Sequence, residues 1–178
     1  MKLEKLTFGV GDRFAHQAAA QLRAFQQAAE LGIEVTPVWN KSNREHGFVG
    51  SAPPSVRAAA AAAVEQLGWT GGWHVDADHI QLATVGPFLD CSDFFTIDVA
   101  DFIGTPVSGD EISAFVDAHS ELIGDLQLPG MESGYHVDRD FVARVAGQYL
   151  RACQAAGEIY RHIASAKGED NFIAEVSM

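Results

Sequence analysis

The sequence predicts an α/β fold of parallel strand–helix units, a partial TIM-type barrel corresponding to its N-terminal half, with a small hairpin insertion. Three observations predict it. Strand-like and helical patterns alternate four times before a final bare strand. Helical segments stop at glycines, as at Gly32, Gly68 and Gly168. Charged and polar residues collect where the strand-like runs end.

The elements follow in order. Leu6 to Val10 is a short strand-like run that gives way to Gly11-Asp12-Arg13. A helix is expected from about Ala15 to Leu31, with Ala18, Leu22, Phe25 and Ala29 at helical spacing. Ile33 to Trp39 reads as the second strand, and Asn40 to His46 as a polar loop. Pro53-Pro54 opens an alanine-rich helix, since proline tolerates the first helical turn. Trp73 to Asp78 is the third strand, followed by a short helix near Thr84 to Leu89, and Asp93 to Val99 is the fourth. Gly109 to Ile123 is helical, with Ser108 or Asp110 as cap. Leu126 to Val137 holds Pro129-Gly130 and Ser133-Gly134 and reads as a hairpin excursion. A long helix from Asp138 to about Ala166 presents Phe141, Val145, Tyr149, Ala152 or Cys153, Ala156, Ile159 and Ile163 along one side. Asn171 to Ser177 is the fifth strand.

One domain spanning residues 1–178 is expected from the length. A parallel strand needs a partner on each edge, so a final strand with nothing after it suggests an incomplete barrel. The open edge makes a homodimer an expected partner arrangement. The net charge of −12 argues against nucleic acid and anionic membranes. No apolar run reaches the ~20 residues of a membrane helix, and no signal peptide is evident, so a cytoplasmic protein is expected. Cys91 and Cys153 form no framework and are expected as small buried apolar residues in a reducing compartment.

Parallel α/β folds bind ligands beyond the carboxyl ends of their strands, so residues distant in sequence converge there. His74-Val75-Asp76-Ala77-Asp78-His79 is the most pointed segment. Asp76 and Asp78 share a strand face by the two-residue period. Asp78 beside His79 suits a proton acceptor next to a metal ligand; the structural alternative is a turn cap with a solvated histidine. Glu175 stands in an otherwise apolar run, either as a buried carboxylic acid or as a solvent-facing residue of an edge strand. Asp12 and Arg13, with Lys41 and Arg44, supply charges suited to a substrate carboxylate or phosphate; interstrand ion pairing is the alternative. A dinucleotide fingerprint is absent, since FGVGDR has only a GxG. His16, His119, His136 and His162 carry no motif and are expected to be structural.

Taken in order, FGVGDR, PVWNKSNREH, VDADHI, SDFFTIDVADFIG and NFIAEVSM resemble the tagaturonate epimerase family. The resemblance runs from about Leu6 to Met178. It implies a divalent-metal-dependent isomerase of hexuronate breakdown that interconverts tagaturonate and fructuronate at carbon 4, with a small-molecule sugar acid as ligand. It implies Asp78 as proton acceptor, His79 as a metal ligand (of a Zn, Mn or Ni type ion) and Glu175 as proton donor. The family's other metal-binding histidines lie beyond the AEVS segment, so the resemblance implies an N-terminal part that is inactive by itself. Deprotonation and retro-aldol cleavage are both open as routes. Two other readings stand beside it: another sugar isomerase or aldolase-type barrel enzyme, and a non-catalytic barrel fragment that self-associates.

Overall fold

The computed structural model describes all 178 residues. In chain order the elements are β1 (Thr7–Gly11), α1 (Ala18–Glu30), β2 (Thr36–Ser42), α2 (Asn43–Val49), α3 (Pro54–Leu67), β3 (His74–Ile80), β4 (Phe94–Asp98), α4 (Gly109–Ala118), β5 (Gly124–Leu126), β6 (Tyr135–Val137), α5 (Arg139–Lys167) and β7 (Ile173–Ser177). They fall into two compact units: residues 1–98 with 158–177, and residues 99–157 with Met178.

The first unit carries a five-stranded sheet in the order β1-β2-β3-β4-β7, with every neighbouring pair parallel. One face packs against helices. Leu22 and Phe25 of α1, Val56, Ala60 and Ala63 of α3, and Trp39 and Val75 of the sheet form one buried cluster. The Trp39 indole N–H donates to the side chain of Gln21 at 3.0 Å, which ties β2 to α1. Alternation along each strand therefore sends Val38, Asn40, Asp76 and Thr96 to the other face. Towards the β7 edge of the sheet, Phe95 meets Phe172 edge-on, with ring centroids 5.9 Å apart. Lys167, at the end of α5, donates to the carbonyl of Leu89 at 2.7 Å.

The segment read as a polar loop after Trp39 is not a loop. β2 continues through Asn40, Lys41 and Ser42, and Ser42 caps α2. The Ser42 hydroxyl accepts from the Glu45 N–H, while the Glu45 carboxylate accepts from the Ser42 N–H, a reciprocal capping box. Polar side chains hid the strand: Lys41 bonds the Ser51 hydroxyl, Ser42 caps α2, and Asn40 is half-buried on the opposite face.

In the second unit, α4 begins with the same device at Ser108 and Glu111. β5 and β6 pair antiparallel, the expected hairpin. Val116, Val137 and Val142 form its small core. The apolar stripe expected on the first turns of α5 is displaced by one position: Val142 and Ala146 are buried while Phe141 and Val145 are exposed. Cys153 is likewise exposed, contrary to the expectation for it, whereas Cys91 is buried. No helix is long and apolar enough to cross a membrane.

Candidate functional site

On the sheet face away from α1 and α3, the strands line a cavity of about 360 Å³. Its wall comes from all five strands: Thr7 and Gly9, Val38 and Asn40, Asp76, Asp78 and His79, Phe94 and Thr96, Glu175 and Ser177. Three of the residues singled out in the sequence, Asp78, His79 and Glu175, thus meet at one cavity although Glu175 belongs to the opposite end of the chain.

His79 reaches that cavity through a break in the strand. Simple alternation would turn it to the face opposite Asp78. The β3–β4 register shifts between Ala77 and Ile80, so β3 carries one residue more than β4 across this stretch. His79 absorbs the extra residue with φ +53°, in the left-handed region that disfavours a side chain. Asp78 and His79 then both face the cavity, and their side chains join: Nδ1 of His79 donates to Asp78 Oδ1 at 2.6 Å. The hydrogen bond to Asp78 raises the His79 pKa, and burial opposes the rise. With Nδ1 engaged by a carboxylate, Nε2 is the ring nitrogen left for a further partner, the arrangement common at metal-bound histidines. Backbone strain retained at such a point carries a testable cost. His79→Gly is expected to be ~1 kcal/mol more stable than His79→Ala in urea melts, because glycine relieves the left-handed conformation that alanine keeps.

Asp76 lies deeper. It is 6% exposed, and its carboxylate accepts from the Thr96 N–H at 3.0 Å and the Thr96 hydroxyl at 2.9 Å. Burial pushes its pKa up to about 7, helped by the charges of Asp78 and Glu175 and opposed by the bonds from Thr96. Glu175 takes the solvent-facing alternative: β7 pairs on one side only, with β4, and Glu175 is exposed at the cavity's edge. No group of three histidine, cysteine or carboxylate side chains is arranged to hold a metal ion; His79 is the one imidazole lining the cavity.

The four residues expected to hold a substrate anion do not line this cavity. Lys41 alternates onto the helix face, is 1% exposed, and donates to the Ser51 hydroxyl at 2.9 Å. Ser51 in turn meets Nδ1 of His46 at 2.9 Å. Burial and the Lys41 charge push the His46 pKa down to about 4. Asp12 accepts from the backbone N–H groups of Phe14, His16 and Gln17 and so shapes the turn into α1. Arg13 is 3.8 Å from Glu45 and lies over the Phe48 ring. Arg44 is exposed on α2.

A larger cleft, about 600 Å³, opens near the start of β2, lined by Glu4, Lys5, Trp69 and Gly71 among others. It contains none of the candidate site residues. The cavity that gathers Asp76, Asp78, His79 and Glu175 is therefore the functional candidate.

The model of the UxaE tagaturonate epimerase family matches residues 1–178. The chain belongs to the tagaturonate epimerase family. Among solved structures it is similar to the fructuronate-tagaturonate epimerase UxaE from Cohnella laeviribosi, in three crystal structures. The native form is 23% identical with a TM-score of 0.74, covering 97% of this chain and 37% of that one. The one-glycerol complex gives 23% and 0.73, covering 96% and 36%. The two-glycerol complex gives 22% and 0.75, covering 96% and 37%. At this identity the likeness establishes the fold. The chain spans little more than a third of the length of those epimerases. No curated protein sequence matches it.

Proposed function

We propose that this tagaturonate epimerase family chain forms the first strands of a (β/α) barrel and half of an epimerisation site for keto sugar acids. The observation that carries the reading is the convergence of Asp78, His79 and Glu175 on one cavity. The strand order supports the barrel: β1-β2-β3-β4-β7 advances in one direction without the reversal that defines a doubly wound sheet.

Epimerisation at a carbon needs a group that takes a proton and one that returns it. Asp78 suits the first role. One of its oxygens is held by His79, which fixes the carboxylate, and the other is left to accept. Glu175, two strands away on β7, suits the second, since it approaches the cavity from another side. A divalent ion, when bound, supplies polarisation of the substrate's carbonyl and hydroxyl oxygens. Within this chain His79 would be its ligand, and a full shell needs donors beyond these residues.

The test is NMR of the chain with tagaturonate and a manganese-free divalent ion such as zinc. The expected result is shifts at Asp78, His79 and Glu175 with no fructuronate formed, because the donor set is incomplete. Absence of shifts at all three residues would sink the reading.

A further inference from the structure

Asp76 has no part in the acid–base pair, yet it occupies the middle of the same wall. It sits beside Asn40 in the β2–β3 register, and its partner Thr96 sits beside Glu175 in the β4–β7 register. Its carboxylate is locked by two bonds from Thr96. An ionised carboxylate has about four lone-pair sites, so two remain for the cavity it lines. A buried side chain fixed by its neighbour before ligand arrives is a preorganised acceptor.

The rest of the wall says what it would accept. No lysine or arginine lines the cavity, while Asp76, Asp78 and Glu175 all do. Three carboxylates repel an anion and accept hydrogen bonds from hydroxyl groups. Asn40, Thr7 and Ser177 add neutral polar groups of the kind that pair with sugar oxygens.

Resting on the epimerase reading of this cavity, we propose that Asp76 is a substrate-positioning residue that accepts a hydrogen bond from a hydroxyl of the keto sugar acid. The sugar then enters with hydroxylated carbons against β3 and β7 and its own carboxylate directed away from the three acidic side chains. The inference adds a third carboxylate with a role distinct from proton transfer.

Carbon-detected NMR of the chain at pH 8, above the raised pKa of Asp76 so that its carboxylate is ionised, read at the side-chain carboxyl carbons, tests it with two probes. One is tagaturonate; the other is the neutral ketohexose D-tagatose, which has the hydroxyls and lacks the acid. Both should shift the Asp76 carboxyl carbon. Asp76→Asn should weaken both by roughly tenfold or more, the loss expected when an ionised acceptor becomes an amide. Asparagine can keep both Thr96 contacts, accepting from its N–H and donating to its hydroxyl, so the variant alters the cavity side of residue 76. Shifts at Asp78 and Glu175 with an unmoved Asp76 carbon would make Asp76 structural and overturn the inference while leaving the epimerase reading intact. So would unchanged affinity of Asp76→Asn, or a response of Asp76 to tagaturonate alone. If neither sugar moves any of the three carboxyl carbons, the reading of the site and this inference fall together. The wild-type carbon shift decides even if a variant folds poorly.

Discussion

Asp76→Asn should make the protein more stable than the wild type at pH 8 and leave it nearly unchanged at pH 4. Asp76 is buried, and its folded pKa is raised from the usual 3.8 to about 7. Between those values the folded chain holds a proton that the unfolded chain has released. Stability therefore falls as pH rises through this window and levels off above it. Moving a carboxyl from 3.8 to about 7 corresponds to ~4 kcal/mol at full ionisation, an order-of-magnitude figure for a buried group. In urea melts at pH 4, 6 and 8 the wild type should lose stability relative to Asp76→Asn at each step, a difference from which the opposite slope of His46 cancels. Asp76→Ala separates charge from hydrogen bonding. It strands the buried N–H and hydroxyl of Thr96, costing about 2–3 kcal/mol at pH 4, where no charge is relieved. A difference in stability between wild type and Asp76→Asn that stays constant from pH 4 to 8 would mean that Asp76 is not the desolvated group its surroundings make it.

The same physics separates what was legible in the sequence from what was not. Strand–helix alternation and glycine stops located all five sheet strands, because backbone termination is a local matter. The shared face of Asp76 and Asp78 followed from the two-residue period alone. The end of β2 escaped because Asn40, Lys41 and Ser42 look like loop residues. Ser42-x-x-Glu45 nonetheless spelled the capping box that marks a helix start. His79 could be placed beside Asp78 by sequence but not aimed, since its direction depends on a one-residue register slip against β4. Lys41 was misdirected for the converse reason: it follows the strand period faithfully and so points at the helices. Phe141 and Val145 were assigned to the buried side of α5, yet the helix turns Val142 and Ala146 inward. Pairings between distant charges left no trace in spacing at all.

The most consequential of those distant pairings joins the N-terminal segment to the start of β3, and breaking it should rival the effect at Asp76. His74 is 5% exposed, with Nε2 on Glu4 at 2.8 Å and Nδ1 on Asp93 at 3.0 Å. Asp93 also accepts from the Val75 N–H at 2.8 Å and lies 3.7 Å from Arg57, which stacks over Trp73. Segment 1–6 is held at two further points: the Met1 amino group donates to the Asp170 carbonyl, and the Thr36 N–H donates to the Leu6 carbonyl at 2.9 Å. Gly72 is part of the same fit, since a Cβ there would come within 2.6 Å of the Glu4 carboxylate. The bond to Asp93 raises the His74 pKa, burial opposes it, and the bond to Glu4 raises it further. A histidine stabilised in its charged form contributes fully below its unfolded value of 6.5, and the contribution fades as pH rises through the folded value. His74→Ala should therefore cost about 3 kcal/mol at pH 6, where a paired buried cation is removed from two carboxylates, and distinctly less at pH 9. Hydrogen exchange supplies the structural readout: Thr36 and Val75 amides should exchange faster in the variant as the segment and Asp93 loosen. Equal losses at pH 6 and pH 9 would show that packing, rather than the charged imidazole, holds the segment. Asp76 and His74 lose stabilisation as pH rises, whereas His46, its pKa pushed down to about 4, gains it up to 6.5, so the His74 contribution is read as the difference between wild type and His74→Ala at each pH. Asp93 stays ionised across that range because the His74 and Val75 bonds outweigh burial and hold its pKa below 3.8.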